Sequence, residues 1–385
     1  MKVVVAGAYP VDENRILGGI EAAISSMVEK LRLMEDMKID VVSCGPYPEG
    51  RHCVAKGNNV RIHYVPSSFS HTLGLFVRDV HEVRKEILRC EPDLIHVHGT
   101  ALYPNAVRGL TIPTVMTVLG IMRNEAKCAR GGSVVKRFMR QIIWDTTELV
   151  SLRRATNIIV ISQHVENNIR GRTRAKLYRV GLPVQDSFFE LEDKEVQGRI
   201  LSVGRTDPRK GFEYLCRAVG ILRERMPNIS LHIVGETGAS PSDLRHYGQL
   251  QEQVRQNGLS ENIVFRGSLD QTELLQEYEE CSVFALTSLD ESFGIAIAQA
   301  MAAGKPAVCS DAGSLPELVR HGDNGLVSAY DDVSGIANNL EMMLTSAAER
   351  QRMGCRGRGY ALQFRSEPIA KAIYDVYKDV LKCNR

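Results

Sequence analysis

No stretch of the chain approaches the roughly 18 consecutive apolar residues that cross a bilayer as a helix, which excludes an ordinary α-helical membrane protein. The nine cysteines stand singly, with no C-x-x-C and no paired metal-ligand spacing. That pattern argues against a disulfide scaffold or a structural zinc site. Cys281 and Cys309 fall in apolar runs, as buried thiols of a reducing compartment do. The first apolar segment, KVVVAG, is not followed by G-x-G-x-x-G, so a dinucleotide enzyme is disfavoured. It is also too short for a secretory leader and turns polar at once, which leads us to expect a cytoplasmic protein. No D-x-D closes a strand, no internal repeat or low-complexity segment occurs, and the net charge is only +2.

What is present is length and alternation. At 385 residues, 44% hydrophobic and 24% charged, the chain can bury two cores of ordinary size. Short apolar segments, KVVVAG, IDVVSCG, VRIHYVP, DLIHVHG, TVMTVLG and TNIIVIS in the first half and RILSVG, LHIVG, NIVFRG, SVFALT and PAVCS in the second, alternate with helical patterns. Such alternation predicts α/β architecture with parallel sheets covered on both faces. Leu73, Phe76, Val77, Val80, Val83 and Ile87 recur at helical spacing and are expected to pack into a core, with membrane insertion as the alternative. LEDKEVQG, residues 191–198, reads as the linker.

The most informative run is SLDESFGIAIAQAMAAGKPAVCSDAGSLPELVRHGDNGLV, which reads strand end, loop, helix, strand. Glu291 lies where a helix start would offer the N–H groups of Phe293, Gly294 and Ile295, and helix N-termini bind anions. Gly294 allows close approach to the main chain. Ser288 with Glu291 also fits the S-x-x-E capping box, as does Ser314 with Glu317. For Ser314 and Glu317 the cap is the favoured reading. For Glu291 a ligand role is favoured, because upstream VGRTDPRKGFEYL places Arg205 and Lys210 on a turn shaped by Gly204, Pro208 and Gly211. Two cations at a strand end suit a diphosphate, with charge-assisted bonds of about 1.5–3 kcal/mol each. A solvated basic pair is the competing reading.

G-R-x-x-x-x-K-G followed by E-S-F-G-x-x-x-A-Q-A-M-A-x-G-x-P-A-V resembles the retaining nucleotide-sugar glycosyltransferases of family 4. The resemblance implies a GT-B fold, α/β, with two Rossmann-like parallel-sheet domains facing across a cleft. It places residues 1–192, with a returning helix at 366–385, on the acceptor side and residues 193–365 on the donor side. It implies catalytic roles for Arg205, Lys210 and Glu291. It implies donor contacts for Gly19, Phe293, Gly294, Ile295 and Gln299, and a base-recognition loop at Arg266 and Gly267. The donor would be a UDP- or GDP-linked sugar, with no cofactor and no metal. Retention would need no protein nucleophile, because the leaving diphosphate takes the acceptor proton.

Two positions depart from the family pattern. Leu119 stands where many relatives end a strand with a histidine that meets the donor sugar. Either a neighbour such as His98 substitutes, or the sugar presents something apolar, for instance the methyl group of a 6-deoxy sugar. Gln299 stands where a second glutamate is usual, and its amide can still bond a ribose. Val180 and Gly181 replace a frequent Asn-Gly. His96 and His98 share one face of their strand and read as structural histidines, with acceptor contact as the alternative for His98.

Between Arg123 and Arg179 the basic residues Lys127, Arg130, Lys136, Arg137, Arg140, Arg153, Arg154, Arg170, Arg172, Arg174 and Lys176 outnumber Glu125, Asp145, Glu148 and Glu166. A basic surface of this kind attracts an anionic membrane face or a phosphorylated acceptor, while plain solvation of helix faces is the alternative. Nucleic acid is not expected, since aromatic residues are not interleaved with the charges. The expected reaction moves a sugar to a lipid-linked glycan intermediate of surface-polysaccharide synthesis, at the inner face of the membrane. A soluble small-molecule acceptor and a catalytically inactive binding subunit are the alternatives.

Overall fold

A computed structural model describes residues 1–12, 18–47, 52–67, 73–128, 134–238 and 240–383. The first domain runs β1 (Lys2–Ala6), α1 (Gly19–Leu31), β2 (Lys38–Gly45), β3 (His52–Lys56), β4 (Val60–Pro66), α2 (Leu73–Arg89), β5 (Leu94–His98), α3 (Leu102–Ala106), β6 (Thr114–Val118), α4 (Met122–Cys128), α5 (Val134–Arg154), β7 (Asn157–Val160), α6 (Gln163–Ile169) and β8 (Lys176–Arg179). Its sheet has the order β3-β4-β2-β1-β5-β6-β7-β8. All pairs are parallel except β3 with β4. The antiparallel edge strand β3 was not foreseen. Its residues are almost wholly exposed, so no continuous apolar run marks it.

The second domain runs β9 (Arg199–Val203), α7 (Phe212–Arg223), β10 (Ser230–Val234), α8 (Pro241–Gln256), β11 (Ile263–Gly267), α9 (Gln271–Glu280), β12 (Val283–Leu286), α10 (Ile295–Ala302), β13 (Ala307–Ser310), α11 (Leu315–Leu318), β14 (Gly325–Ser328), α12 (Val333–Thr345) and α13 (Ala347–Ala361). Its order, β11-β10-β9-β12-β13-β14, is parallel throughout. Strands buried on both faces are continuous in β-branched and small apolar residues: Val3, Val4 and Val5 in β1, and Val283, Phe284 and Ala285 in β12, are all fully buried. The predicted apolar face of α2 holds at Val83 and Ile87. Val77, however, is exposed, and the side chains of Leu73 and Phe76 lie outside the described residues.

The last helix, α14 (Ser366–Cys383), packs back on α1 of the first domain. Tyr377 bonds His96 Nδ1 at 2.7 Å, and His96 Nε2 meets Thr117 Oγ1 at 2.7 Å. His96 is therefore structural, as expected, and burial keeps it neutral. In both sheets the strand order reverses direction beside the first strand, between β1 and β5 and between β9 and β12. Crevices outside the carboxyl ends at such points bind ligands in open α/β sheets. Tyr377→Phe should cost about 1–3 kcal/mol, because it leaves a buried ring nitrogen of His96 unpaired. Urea unfolding of the two proteins measures this, and an unchanged midpoint would show that the bond does not anchor α14.

Candidate active site

The turn after β9 sets the geometry. Asp207 accepts a hydrogen bond from the Arg209 N–H at 3.0 Å, and Gly211 takes φ +63°. A Cβ at Gly211 would lie 2.2 Å from the Thr287 carbonyl oxygen. Only glycine lets this turn press against the end of β12, and that contact delivers Lys210 to Glu291. The aliphatic stem of Lys210 lies over Gly204, where a Cβ would be 3.0 Å from Cε.

Glu291 is buried and forms an ion pair with the Lys210 ammonium. Ser288 Oγ donates to the same carboxylate at 2.9 Å, and Arg209 Nη1 stands 4.0 Å from its other oxygen. Burial alone would raise the pKa of Glu291. The Lys210 charge, with Arg209 behind it and hydrogen bonds from Lys210 and Ser288, turns the shift downward and keeps the carboxylate ionised. Its main chain is clamped from the other side. Ser314 N–H donates to the Glu291 carbonyl at 2.9 Å, and a Cβ on Gly313, at φ +62°, would fall 2.1 Å from that oxygen.

Residues of the first domain close on this centre. The starts of α1 and α10 meet, since a Cβ on Gly19 would be 2.6 Å from Ile295 Cγ2. Both helix dipoles therefore turn their positive ends to one place. Ser162 Oγ donates to the Ser292 carbonyl at 2.6 Å, and His164 Nε2 stands 3.3 Å from Asp290 Oδ1. The capping-box reading of Ser314 and Glu317 is corrected. Ser314 Oγ is buried without a partner and makes no cap bond. Glu317 instead accepts from the Gln163 and His164 N–H groups at 2.8 and 2.7 Å, capping α6 of the other domain. The local pattern is the same for either use of the glutamate, so sequence could not separate them.

The remaining sequence-derived residues divide. Arg205 is at the strand end, largely exposed, with Asp207 at 3.6 Å. The Phe293 ring packs edge-on to Phe364 and beside Gly181, which leaves its main chain for a ligand. Gly294 has φ +86°, and a Cβ there would lie 2.8 Å from Leu315 Cδ2. That is a conformational reason for glycine independent of any ligand. Gln299 is buried, with its amide oxygen accepting from Tyr278 at 3.2 Å. The Arg266 side chain turns to Glu277, at 2.9 Å, while the Gly267 carbonyl accepts from Gly235 N–H.

His98 and Leu119 line one small apolar chamber with Ile24, Met27, Thr117 and Ile373. Neither ring nitrogen of His98 has a hydrogen-bond partner, so the satisfied structural role expected of it does not hold. Burial pushes its pKa down to about 3, and it is neutral.

Several residues of the site were missed. Arg209, next to Lys210 on the same turn, bonds the Asp290 carbonyl at 3.1 Å and was legible as a third cation. Glu125 of α4 is pushed above the usual carboxylate range by burial, against the pull of Arg209 and Arg205. It comes to the site only through the approach of the two domains, and no local signal marks it. Among the described residues, Asp40, His63 and Cys90 form one grouping of potential metal ligands. There His63 bridges Asp40 and Glu86 at 2.9 and 3.0 Å, and its hydrogen bond to Asp40 raises its pKa to about 10. With Arg61 also on Asp40, this is a charged hydrogen-bond network well suited to a cationic imidazole.

Comparison with known proteins agrees with this architecture. Residues 17–182 match the family model described as Glycosyltransferase Family 4, and residues 184–360 match Glycosyl transferases group 1. The chain belongs to the family 4 glycosyltransferases of GT-B fold. A D-inositol 3-phosphate glycosyltransferase of Corynebacterium diphtheriae is 33% identical over 181 residues, 46% of this chain and 41% of that protein. The match thus spans about two fifths of the length of such relatives. An uncharacterized glycosyltransferase of Methanocaldococcus jannaschii is 23% identical over 99% of both chains. Among solved structures, sucrose-phosphate synthase from Thermosynechococcus elongatus superposes with a TM-score of 0.82 at 18% identity, over 99% of both chains. The Anabaena protein HepE, solved with UDP and glucose, gives 0.71 at 18% identity over 98% of this chain and 99% of its own.

Two measurements follow from this geometry. Glu317→Ala should cost about 1–2 kcal/mol in urea unfolding through loss of the α6 cap, while Ser314→Ala should change little. The reverse order would restore the local cap. Lys210→Met removes the cation that keeps Glu291 ionised and leaves the burial that raises its pKa. In the wild type the depressed folded pKa adds stability above the unfolded value of about 4.3, and that stability is lost as pH falls. In the variant the raised folded pKa costs stability as pH rises through it. The Tm gap between the two proteins should therefore widen from about pH 5 to pH 7. A constant gap would mean that Lys210 does not hold the charge of Glu291.

Proposed function

We propose that the protein transfers a sugar, with retention, from a nucleoside-diphosphate sugar to an acceptor held by the first domain. The observation that carries this reading is the grouping of Arg209, Lys210 and Glu291 at the β9/β12 crevice, against the converging starts of α1 and α10. Breaking the anomeric bond builds negative charge on the diphosphate. Preorganised cations and helix N–H groups stabilise such charge without reorganisation during the step, commonly the largest catalytic contribution. The Lys210 ammonium has three donors, so it can keep Glu291 and take a phosphate oxygen as well. Arg205, exposed on the same turn, adds a third cation to Lys210 and Arg209. Glu291, fixed and ionised, is suited to accept hydrogen bonds from sugar hydroxyls, which orients the ring against its leaving group.

UDP is the favoured base carrier, since HepE of the same fold was solved with it, and GDP is the alternative. No metal is assigned to the step: the positive charge around the diphosphate comes from arginine, lysine and helix ends. In the chamber beneath Leu119 the only uncommitted polar side-chain atoms are those of His98. We infer that the end of the sugar nearest Leu119 faces an apolar wall, which suits a 6-deoxy sugar; the chamber itself, at about 20 Å³, has room only for a group the size of a water molecule. The acceptor is taken to be a lipid-linked glycan intermediate, with a soluble acceptor as the other form. A binding subunit without turnover is the second reading, favoured by Gln299 being engaged with Tyr278.

Calorimetry with UDP and GDP tests the site. One of them should bind the wild type, and Lys210→Ala should weaken binding by about tenfold or more, as loss of a charge-assisted bond implies. Binding of neither nucleotide would make the inactive-subunit reading the better one. Turnover with the cognate sugar nucleotide should survive a chelator, and activity lost to it and restored by Mn²⁺ would reject the metal-free step.

A further inference from the structure

The crossover from β5 to β6 leaves part of the sheet without a roof. Its helix, α3, has five residues, about 7.5 Å of length, whereas a strand of five residues extends about 16 Å. Between the loop after α3 and the last turns of α5 there is a cavity of about 550 Å³, within the roughly 300–1,000 Å³ of ordinary ligand sites. Val97 and Met116, register partners on β5 and β6, are buried and line it. Leu110, Ile112 and Val150 continue the aliphatic lining. Thr114 and Asn157, which also line it, begin β6 and β7. The cavity thus reaches the amino ends of the strands, away from the donor crevice at their carboxyl ends.

Three polar side chains of the lining are uncommitted. Ser151 of α5 is 6% exposed, and its Oγ has no hydrogen-bond partner. Arg108, after α3, and Arg154, the last residue of α5, are exposed, and neither guanidinium makes a hydrogen bond or ion pair among the described residues. Ser151 and Arg154 are three residues apart on one helix, so they share a face. None of the described residues that line the cavity is acidic or aromatic.

We propose that this cavity binds a single-chain aliphatic carboxylate of the fatty-acid type, with its chain on the aliphatic lining and its head between Ser151, Arg108 and Arg154. Charge fixes the head, since a guanidinium holds a carboxylate with two parallel N–H donors and no acid of the lining competes for it. A buried hydroxyl without a partner is the exception in folded proteins, and the carboxylate supplies that partner. The lining fixes the body: a nucleobase would find no aromatic face to stack on, whereas a methylene chain needs none. The cavity is separate from Lys210 and Glu291, and the inference does not depend on the proposed function.

The experiment is titration calorimetry of the full chain with decanoate, decanol and inorganic phosphate, each below any micellar range. Decanoate should bind at one site, decanol should bind about tenfold or more weakly, as loss of a charge-assisted bond implies, and phosphate should give no measurable binding. Arg108→Gln/Arg154→Gln should weaken decanoate by about tenfold or more. Val150→Phe, which fills the cavity, should abolish its binding, with an unchanged circular-dichroism melt showing that each variant is folded. No binding of decanoate to the wild type overturns the proposal. So does binding that the arginine substitutions leave unchanged, which would place the chain elsewhere, for instance on Phe138 and Ile142, exposed on α5. Decanol as tight as decanoate would remove the anion from the site, and phosphate as tight as decanoate would remove the chain, and either result rejects it.

Discussion

A carboxylate taken out of water must find a cation or lose its charge, and Glu291 is the group on which the second domain turns. Its desolvation is offset only if Lys210 and Arg209 arrive together. They arrive only if the turn after β9 can press on the end of β12. That contact demands a residue without a Cβ at Gly211, and the opposite clamp demands another at Gly313. Two glycines in left-handed conformations, eight strand-and-helix elements apart in sequence, are thus consequences of one buried charge. The arrangement also explains why the site is preorganised: side chains that satisfy one another in the fold need little movement to receive a ligand of the right charge.

The joint between the domains obeys the same accounting of polar groups. Helix α6 begins at the cleft with its first N–H groups unsatisfied by its own turns, and the acceptor comes from Glu317 of the other domain. Ser162 does two tasks there, accepting from Val165 N–H and donating to the Ser292 carbonyl. These bonds are polar and few, unlike the apolar seam that holds α14 on the first sheet. The cleft face is therefore built of contacts that water or ligand can replace, and the far side of contacts that they cannot.

Most of the fold was legible because parallel strands buried on both faces leave runs that nothing else explains, as KVVVAG and SVFALT do. Edge strand β3 was not, since an exposed strand carries no such run. Lys210 was legible because Gly204, Pro208 and Gly211 shape a turn at a strand end, and Glu291 because it stands at a helix start. Glu317 was misread because a glutamate three residues after a serine is the same string whether it serves its own helix or another domain. Val77 fell on the apolar face of α2 by period and is nonetheless exposed, since period says where a residue points along a helix and not how far the neighbouring layer extends. Glu125 and His164 belong to the site only by tertiary approach, and no local pattern could announce them.

His98 is the residue in which sequence and structure pull hardest against each other. A neutral imidazole buried with both nitrogens unpaired costs about 1–3 kcal/mol relative to a satisfied one. His96, two residues away on the same strand face and with its ring centroid 4.2 Å distant, is fully satisfied by Tyr377 and Thr117. The same strand therefore had partners available and gave them to only one of its two histidines. The adjacent strand end, where a histidine is usual in the family, carries Leu119 instead. His98 and Leu119 end neighbouring strands and line the same chamber, so the unpaired nitrogens of His98 are the polar groups that a ligand hydroxyl would complete under the proposed function.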